Sequence, residues 1–248
     1  MKNKPFEIID ENECIKIVRG LKELKKKFFR IPEVFRNGKE VSIHNAEAFD
    51  VNDFLSVFDR VKLQDGYVLD YIYAVDNLGG APLIYSRKLT DKPLSNSQDY
   101  CKTFNIFPFP LLGQEPSKIN SSPYLNNIQF ENSNIGYFQF ALFCMTVRRF
   151  YLHWHANYND RRYVIAKYVL NNIIYDNVGN CNKEEVILLR SIDFRPKLII
   201  EKDSAEIIIF CYERNIGYSN LHVFVTWPNI FEKIIDEVII KTNMHIMY

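Results

Sequence analysis

His153 and His155 stand one residue apart within residues 148–163, which read Arg-Arg-Phe-Tyr-Leu-His-Trp-His-Ala-Asn-Tyr-Asn-Asp-Arg-Arg-Tyr. This segment gathers imidazole, indole, phenol and guanidinium groups more densely than any other part of the chain. Phe150, Leu152, Trp154 and Ala156 alternate with Tyr151, His153, His155 and Asn157, the period-two pattern of a half-buried strand. On such a strand both histidines project from one face, their Cα atoms roughly 7 Å apart. Two imidazoles placed this way can begin a zinc site, with Asp160, His222 or His44 as candidates for the third ligand. The competing reading is structural, with the imidazole and phenol groups hydrogen-bonding to adjacent strands.

Other catalytic chemistries find less support. Neither G-x-S-x-G nor S-x-x-K occurs, and Cys144 lies in the apolar run Leu142-Phe143-Cys144-Met145, where a thiol is ordinarily inert packing. The adjacent carboxylates Glu184-Glu185 and Asp236-Glu237 diverge on a helix and cannot act on one bond. Neither G-x-G-x-x-G nor G-x-x-x-x-G-K-[ST] is present, so neither nucleotide cradle is predicted.

The pairs Arg148-Arg149 and Arg161-Arg162 bracket the aromatic segment. Arginine among aromatic rings serves both protein-interface hot spots and single-stranded nucleic-acid binders. A net charge of +1 favours a protein partner over nucleic acid. The expected interaction surface comprises Tyr151, Tyr158, Asp160, Arg161 and Tyr163.

These groups must be positioned by a fold of ordinary soluble composition. The 248 residues are 47% hydrophobic and 25% charged, and the 19 Phe and 15 Tyr predict a core rich in rings. No apolar run reaches the roughly 20 residues that cross a bilayer. The first ten residues turn acidic before an apolar stretch develops, so no signal peptide is expected. Five dispersed cysteines suit reduced thiols in a cytoplasmic protein.

Along the chain, residues 10–29 are predicted as an amphipathic helix capped by Asp10, followed by a short helix from Asp50 or Asn52. Residues 66–88 form a predicted hairpin turning at Asn77-Leu78-Gly79-Gly80, with Asp70 and Asp76 exposed on one face. The proline-, asparagine- and serine-rich stretch 90–136 reads as a long packed loop, and as the one plausible weak domain boundary. Residues 137–147 are a buried strand or helix, and Asn159 or Asp160 caps a helix reaching Tyr175. The last third is mostly β, with 206–213 central and 229–241 predicted helical.

The expected fold is α+β, a single compact domain with a mostly antiparallel sheet and flanking helices. The expected function is a non-enzymatic protein-interaction module, such as a bacterial immunity or accessory factor, without a cofactor. The alternative is an enzyme, zinc-dependent in one form, built on His153 and His155 beneath the 90–136 loop.

Overall fold

The structure, a computed structural model, describes residues 6–30, 32–33, 41–42, 48–76, 79–105, 122–154, 157–158, 161–176, 181–214, 216–227 and 230–241. At 41–42, 76, 79, 153–154, 157–158, 176 and 231 it describes the backbone alone. In chain order the first elements are β1 (Glu7–Ile8), α1 (Glu11–Lys25), β2 (Val41–Ser42), β3 (Val61–Leu63), β4 (Tyr67–Asp76) and β5 (Gly79–Lys88). Next come α2 (Ser97–Phe104), β6 (Ile128–Phe130), α3 (Asn134–Val147), β7 (His153–Trp154), β8 (Asn157–Tyr158) and β9 (Arg162–Tyr163). The chain continues through α4 (Lys167–Asp176), α5 (Lys183–Ser191), β10 (Lys197–Ile200), β11 (Ser204–Glu213), β12 (Gly217–Thr226) and β13 (Phe231–Lys241).

The strands form antiparallel sheets, and the fold is α+β. One sheet has the order β1-β10-β11-β12-β13, with β9 also pairing β11; a second has the order β2-β4-β5-β7-β8; β3 and β6 form a separate pair. Among the described residues no helix is long and apolar enough to cross a membrane.

The ambiguous run 137–147 is helical and lies at the centre. Ser133 accepts the Gly136 N–H at 3.1 Å as the N-cap of α3, and every residue from Gly136 to Val147 is buried. A helix apolar on all sides is stable only when wrapped on all sides. Here α1, the 3-10 turn Val51–Ser56, β3, β6, β10 and β11 supply the wrapping. Gly136 is required at the entry, because a Cβ there would lie 2.0 Å from the Glu131 carbonyl oxygen. The buried amide of α3, Gln139, accepts from the Arg60 N–H at 2.8 Å and donates to Asp59 at 2.6 Å.

A single hydrophobic core joins the inner faces of both large sheets and includes residues on either side of 90–136. Its densest part is aromatic: Phe28, Phe49, Phe54 and Phe150 lie with ring centroids 4.7–6.0 Å apart, mostly tilted or edge-on. Such geometries add about 0.5–1.5 kcal/mol per pair beyond the area they bury.

Several expectations hold. Asp10 caps α1 by accepting the Glu13 N–H at 3.0 Å, and Asp50 caps the 3-10 turn at Asn52. The β4–β5 hairpin forms, and β11 is central in its sheet.

Others are corrected. Gly79 and Gly80 belong to β5; at Gly80 the close neighbour is internal, since a Cβ would fall 2.6 Å from the Tyr73 hydroxyl. Asp70 is buried and paired with Arg87, because β4 lies between β2 and β5 and is not an edge. The 90–136 loop contains α2, β6 and the start of α3. Asn96 caps α2 through the Asp99 N–H at 2.8 Å, and Asn105 closes it in the left-handed region at φ 52°. Residues 106–121, which hold most of the prolines of that stretch, lie outside the described residues.

The predicted helix at 229–241 is strand β13, paired with β12 along its whole length. Its Ile and Val residues are β-branched and favour a pleated surface, and the i, i+4 spacing of Ile230 and Ile234 imitated a helical stripe. The helix expected from Asn159 or Asp160 begins only at Lys167; Val164 and Ile165 are buried ahead of it, while Leu170 and Ile173 form its inner side.

Candidate functional site

The histidine segment is not one strand. β7 pairs β8 antiparallel with His153 opposite Tyr158 and Trp154 opposite Asn157, and β7 extends β5 through Gly80 opposite His153. His155, Asp160 and His44 lie outside the described residues, as do the side chains of His153 and Tyr158. Among the described residues no three His, Cys, Asp or Glu side chains gather as a metal-binding set.

Tyr151, Arg161 and Tyr163 are brought into the interior and not onto an open patch. Tyr151 takes the left-handed conformation, φ 55°, which is rare for a bulky residue. It is held there from both ends: its hydroxyl accepts the Phe49 N–H at 3.0 Å, and its carbonyl accepts the Tyr73 hydroxyl at 2.8 Å. The Tyr163 hydroxyl lies 3.2 Å from the Thr146 hydroxyl inside the core. Burial raises the pKa of both phenols, so they act as neutral hydrogen-bonding groups.

Three of the bracketing arginines are inward clamps. Arg149 and Arg161 both grip Glu213 on β11; the Arg161 and Glu213 side chains are 6% and 5% exposed. Arg161 also reaches Asp236 on β13 at 3.6 Å. Burial acts to lower the Arg161 pKa, but attraction by the carboxylates of Glu213 and, more weakly, Asp236 lifts it above the ordinary value. Arg148 pairs with Glu232 of β13 and donates to the Tyr124 hydroxyl at 3.1 Å, while Tyr124 donates to Glu232 at 2.7 Å. Edge strand β13 therefore carries two inward carboxylates, each answered by an arginine from the segment following α3.

The outer face of the six-stranded sheet offers a different environment. Helices α4 and α5 cover one end, over Phe210, Tyr212, Tyr218 and Ile240. Among the described residues the sheet beyond α5 is open, and a cleft of about 420 Å³ forms there. Its apolar lining is Leu188, Ile192, Phe194, Ile208, Phe210 and Ile239; its polar lining is Asp193, Arg195, Lys197, Asn220, His222 and Glu237.

Alternation explains the composition. Leu221, Val223 and Val225 of β12 point into the core, so Asn220, His222 and Phe224 point outward. His222 is held at both ring nitrogens, Nδ1 by Glu206 at 2.6 Å and Nε2 by Glu237 at 3.3 Å. Both contacts are hydrogen bonds only when both nitrogens carry protons. Because the carboxylates sit on opposite edges of the ring, they bridge β11, β12 and β13 and do not converge on one point. Its ring also stacks near Phe224, with centroids 6.3 Å apart. Hydrogen bonds from Asn220 and His222 hold Glu237 below the usual carboxylate range, although its side chain is 64% exposed.

At the other end Arg195 donates to both oxygens of Asp193, at 2.8 and 3.0 Å, and Lys197 lies 4.0 Å away. The Arg195 bonds lower the Asp193 pKa.

Of these residues sequence reasoning singled out His222, as a possible metal ligand, and missed Glu206, Asp193, Lys197 and the role of Glu237. The alternation Asn220-x-His222-x-Phe224 was the available signal. Misreading 229–241 as a helix hid Glu237, and the pair Asp236-Glu237 in fact divides between the two faces of the sheet.

Compared with known proteins, the chain matches no family profile, no curated protein and no solved structure.

Proposed function

We propose that this chain is a non-enzymatic interaction module that recognises another protein through the cleft on the outer face of its six-stranded sheet. The observation that carries the reading is the mixed apolar and charged shelf between α5 and β13, open among the described residues. Ligand-sized concavities with an apolar floor and a few oriented polar groups are the usual form of recognition sites. Exposed Ile187 and Leu188 on α5 and Ile235 on β13 extend the apolar character past the rim. A shelf bearing both charge signs on a chain of net charge +1 suits a polypeptide better than a polyanion. The setting we propose is the bacterial cytoplasm, in keeping with five free thiols, and the role is that of an immunity or accessory factor.

The test is quantitative affinity purification from the native cell with the wild-type chain, Leu188→Glu, and the remote surface control Lys22→Glu. A partner enriched by wild type and by Lys22→Glu, and depleted about tenfold or more by Leu188→Glu, is the expected result. Circular dichroism checks that both variants fold. A partner set indifferent to Leu188→Glu, or a turnover activity abolished by His155→Ala, defeats the proposal.

A further inference from the structure

The two ends of the cleft differ in charge. At the β10 end two cations, Arg195 and Lys197, face one carboxylate, Asp193. At the β13 end Glu237 is the carboxylate lining the cleft, and His222 and Asn220 hold it. Between them the floor is apolar, and strand register places the groups: Lys197 is opposite Ile208, Ile208 opposite His222, and His222 opposite Ile235. Strands lie about 4.8 Å apart, so Lys197 and His222 are separated by roughly 10 Å at the backbone, and Lys197 and β13 by roughly 14 Å. An extended chain rises about 3.3 Å per residue, and alternate side chains share a face. Residues i, i+2 and i+4 of an extended segment lying across the strands therefore span about 13 Å, the width of the cleft.

We infer that the cleft binds an extended polypeptide segment with a basic and an acidic residue four positions apart and an apolar residue midway. The basic group meets Glu237, the acidic group meets Lys197 and Arg195, and the apolar side chain rests on Ile208 and Phe210. The lowered pKa of Glu237 keeps its carboxylate ionised through the neutral range, as a cation-binding end requires. This inference rests on the proposed function, because it names the partner chemistry of that same cleft.

The experiment is selection of a displayed random dodecapeptide library on the wild-type chain. Selected peptides are then synthesised and titrated against wild type, Leu188→Glu and Glu237→Lys. The expected result is enrichment of basic-x-apolar-x-acidic sequences whose affinity falls about tenfold on Glu237→Lys, recovers when the basic residue is exchanged for glutamate, and weakens with added salt. Peptides that need Leu188 but show no such charge pattern, and bind Glu237→Lys as well as wild type, overturn this inference and leave the cleft reading standing. A selection yielding no peptide sensitive to Leu188→Glu overturns both.

Discussion

Glu213 is the anion on which two inward-facing guanidinium groups converge, and its removal should be the costliest single change in the clamp. In Glu213→Gln the side-chain volume is kept, but Arg149 and Arg161 both lose the carboxylate they share. Arg161 then retains only the more distant, partly exposed Asp236 among its ion-pair partners. An arginine cannot escape by releasing its proton. Breaking a buried pair by removing one partner costs about 3–5 kcal/mol, and the loss of one carboxylate by two arginines puts this case at about 4–5 kcal/mol. Arg161→Met leaves Glu213 still held by Arg149 and should cost less, about 2–3 kcal/mol. Replacing all three with apolar groups, as Arg149→Met, Glu213→Leu and Arg161→Met together, leaves only the partly exposed Asp236 of the clamp's charges and should recover most of the loss. Urea unfolding at constant m-value measures each difference. At about 2–4 °C per kcal/mol for a chain of this size, Glu213→Gln should lower Tm by roughly 8–20 °C. The reasoning fails if Glu213→Gln costs less than Arg161→Met, or if the triple variant is the least stable of the three.

Three further outcomes follow from named contacts. Burial pushes the Cys14 and Cys144 thiols up to about 12 and Cys211 to about 11, so iodoacetamide at pH 8 should label the partly exposed Cys101 and Cys181 first, as peptide mass mapping will show. Gly80→Ala drives a methyl into the Tyr73 ring and should cost about 1–3 kcal/mol by thermal melting; an unchanged Tm would contradict the packing. Glu131, Asp193 and Glu237 titrate below their ordinary values because Arg60, Arg195 and Asn220 respectively donate to them first. The sign is that of depressed carboxylates. Their contribution is complete above about pH 5, and it is lost as pH falls below about 4 through the folded values, which carboxyl NMR titration should locate.

Where local signals sufficed, the sequence was legible. Asp10 and Asp50 announced their helical starts, and the apolar residues on both faces of 207–212 announced a central strand. The failures share a cause, which is that the deciding contacts are far away in sequence. Residues 137–147 are apolar on every side, and only the wrapping by β10, β11, β3 and β6 decides for helix. Residues 229–241 carry a spacing compatible with either period, and the open side of β12 decides for strand. The candidate site suffered most. Arg148, Arg149 and Arg161 look like a surface from composition, yet their partners Glu232, Glu213 and Asp236 lie more than fifty residues downstream. The cleft is assembled from β10, β11, β12, β13 and the end of α5, none of which announces the others.

The enclosure of α3 also has a consequence for synthesis. Val147 leaves the ribosome 66 residues before Glu213, the end of the last strand that covers α3. At 5–20 residues per second this interval is about 3–13 s. Through that time the nascent chain presents Phe138, Phe140, Leu142, Phe143 and Met145 with no β10 or β11 to cover them. The segment that anchors the finished core is therefore the segment that a holding chaperone should meet first.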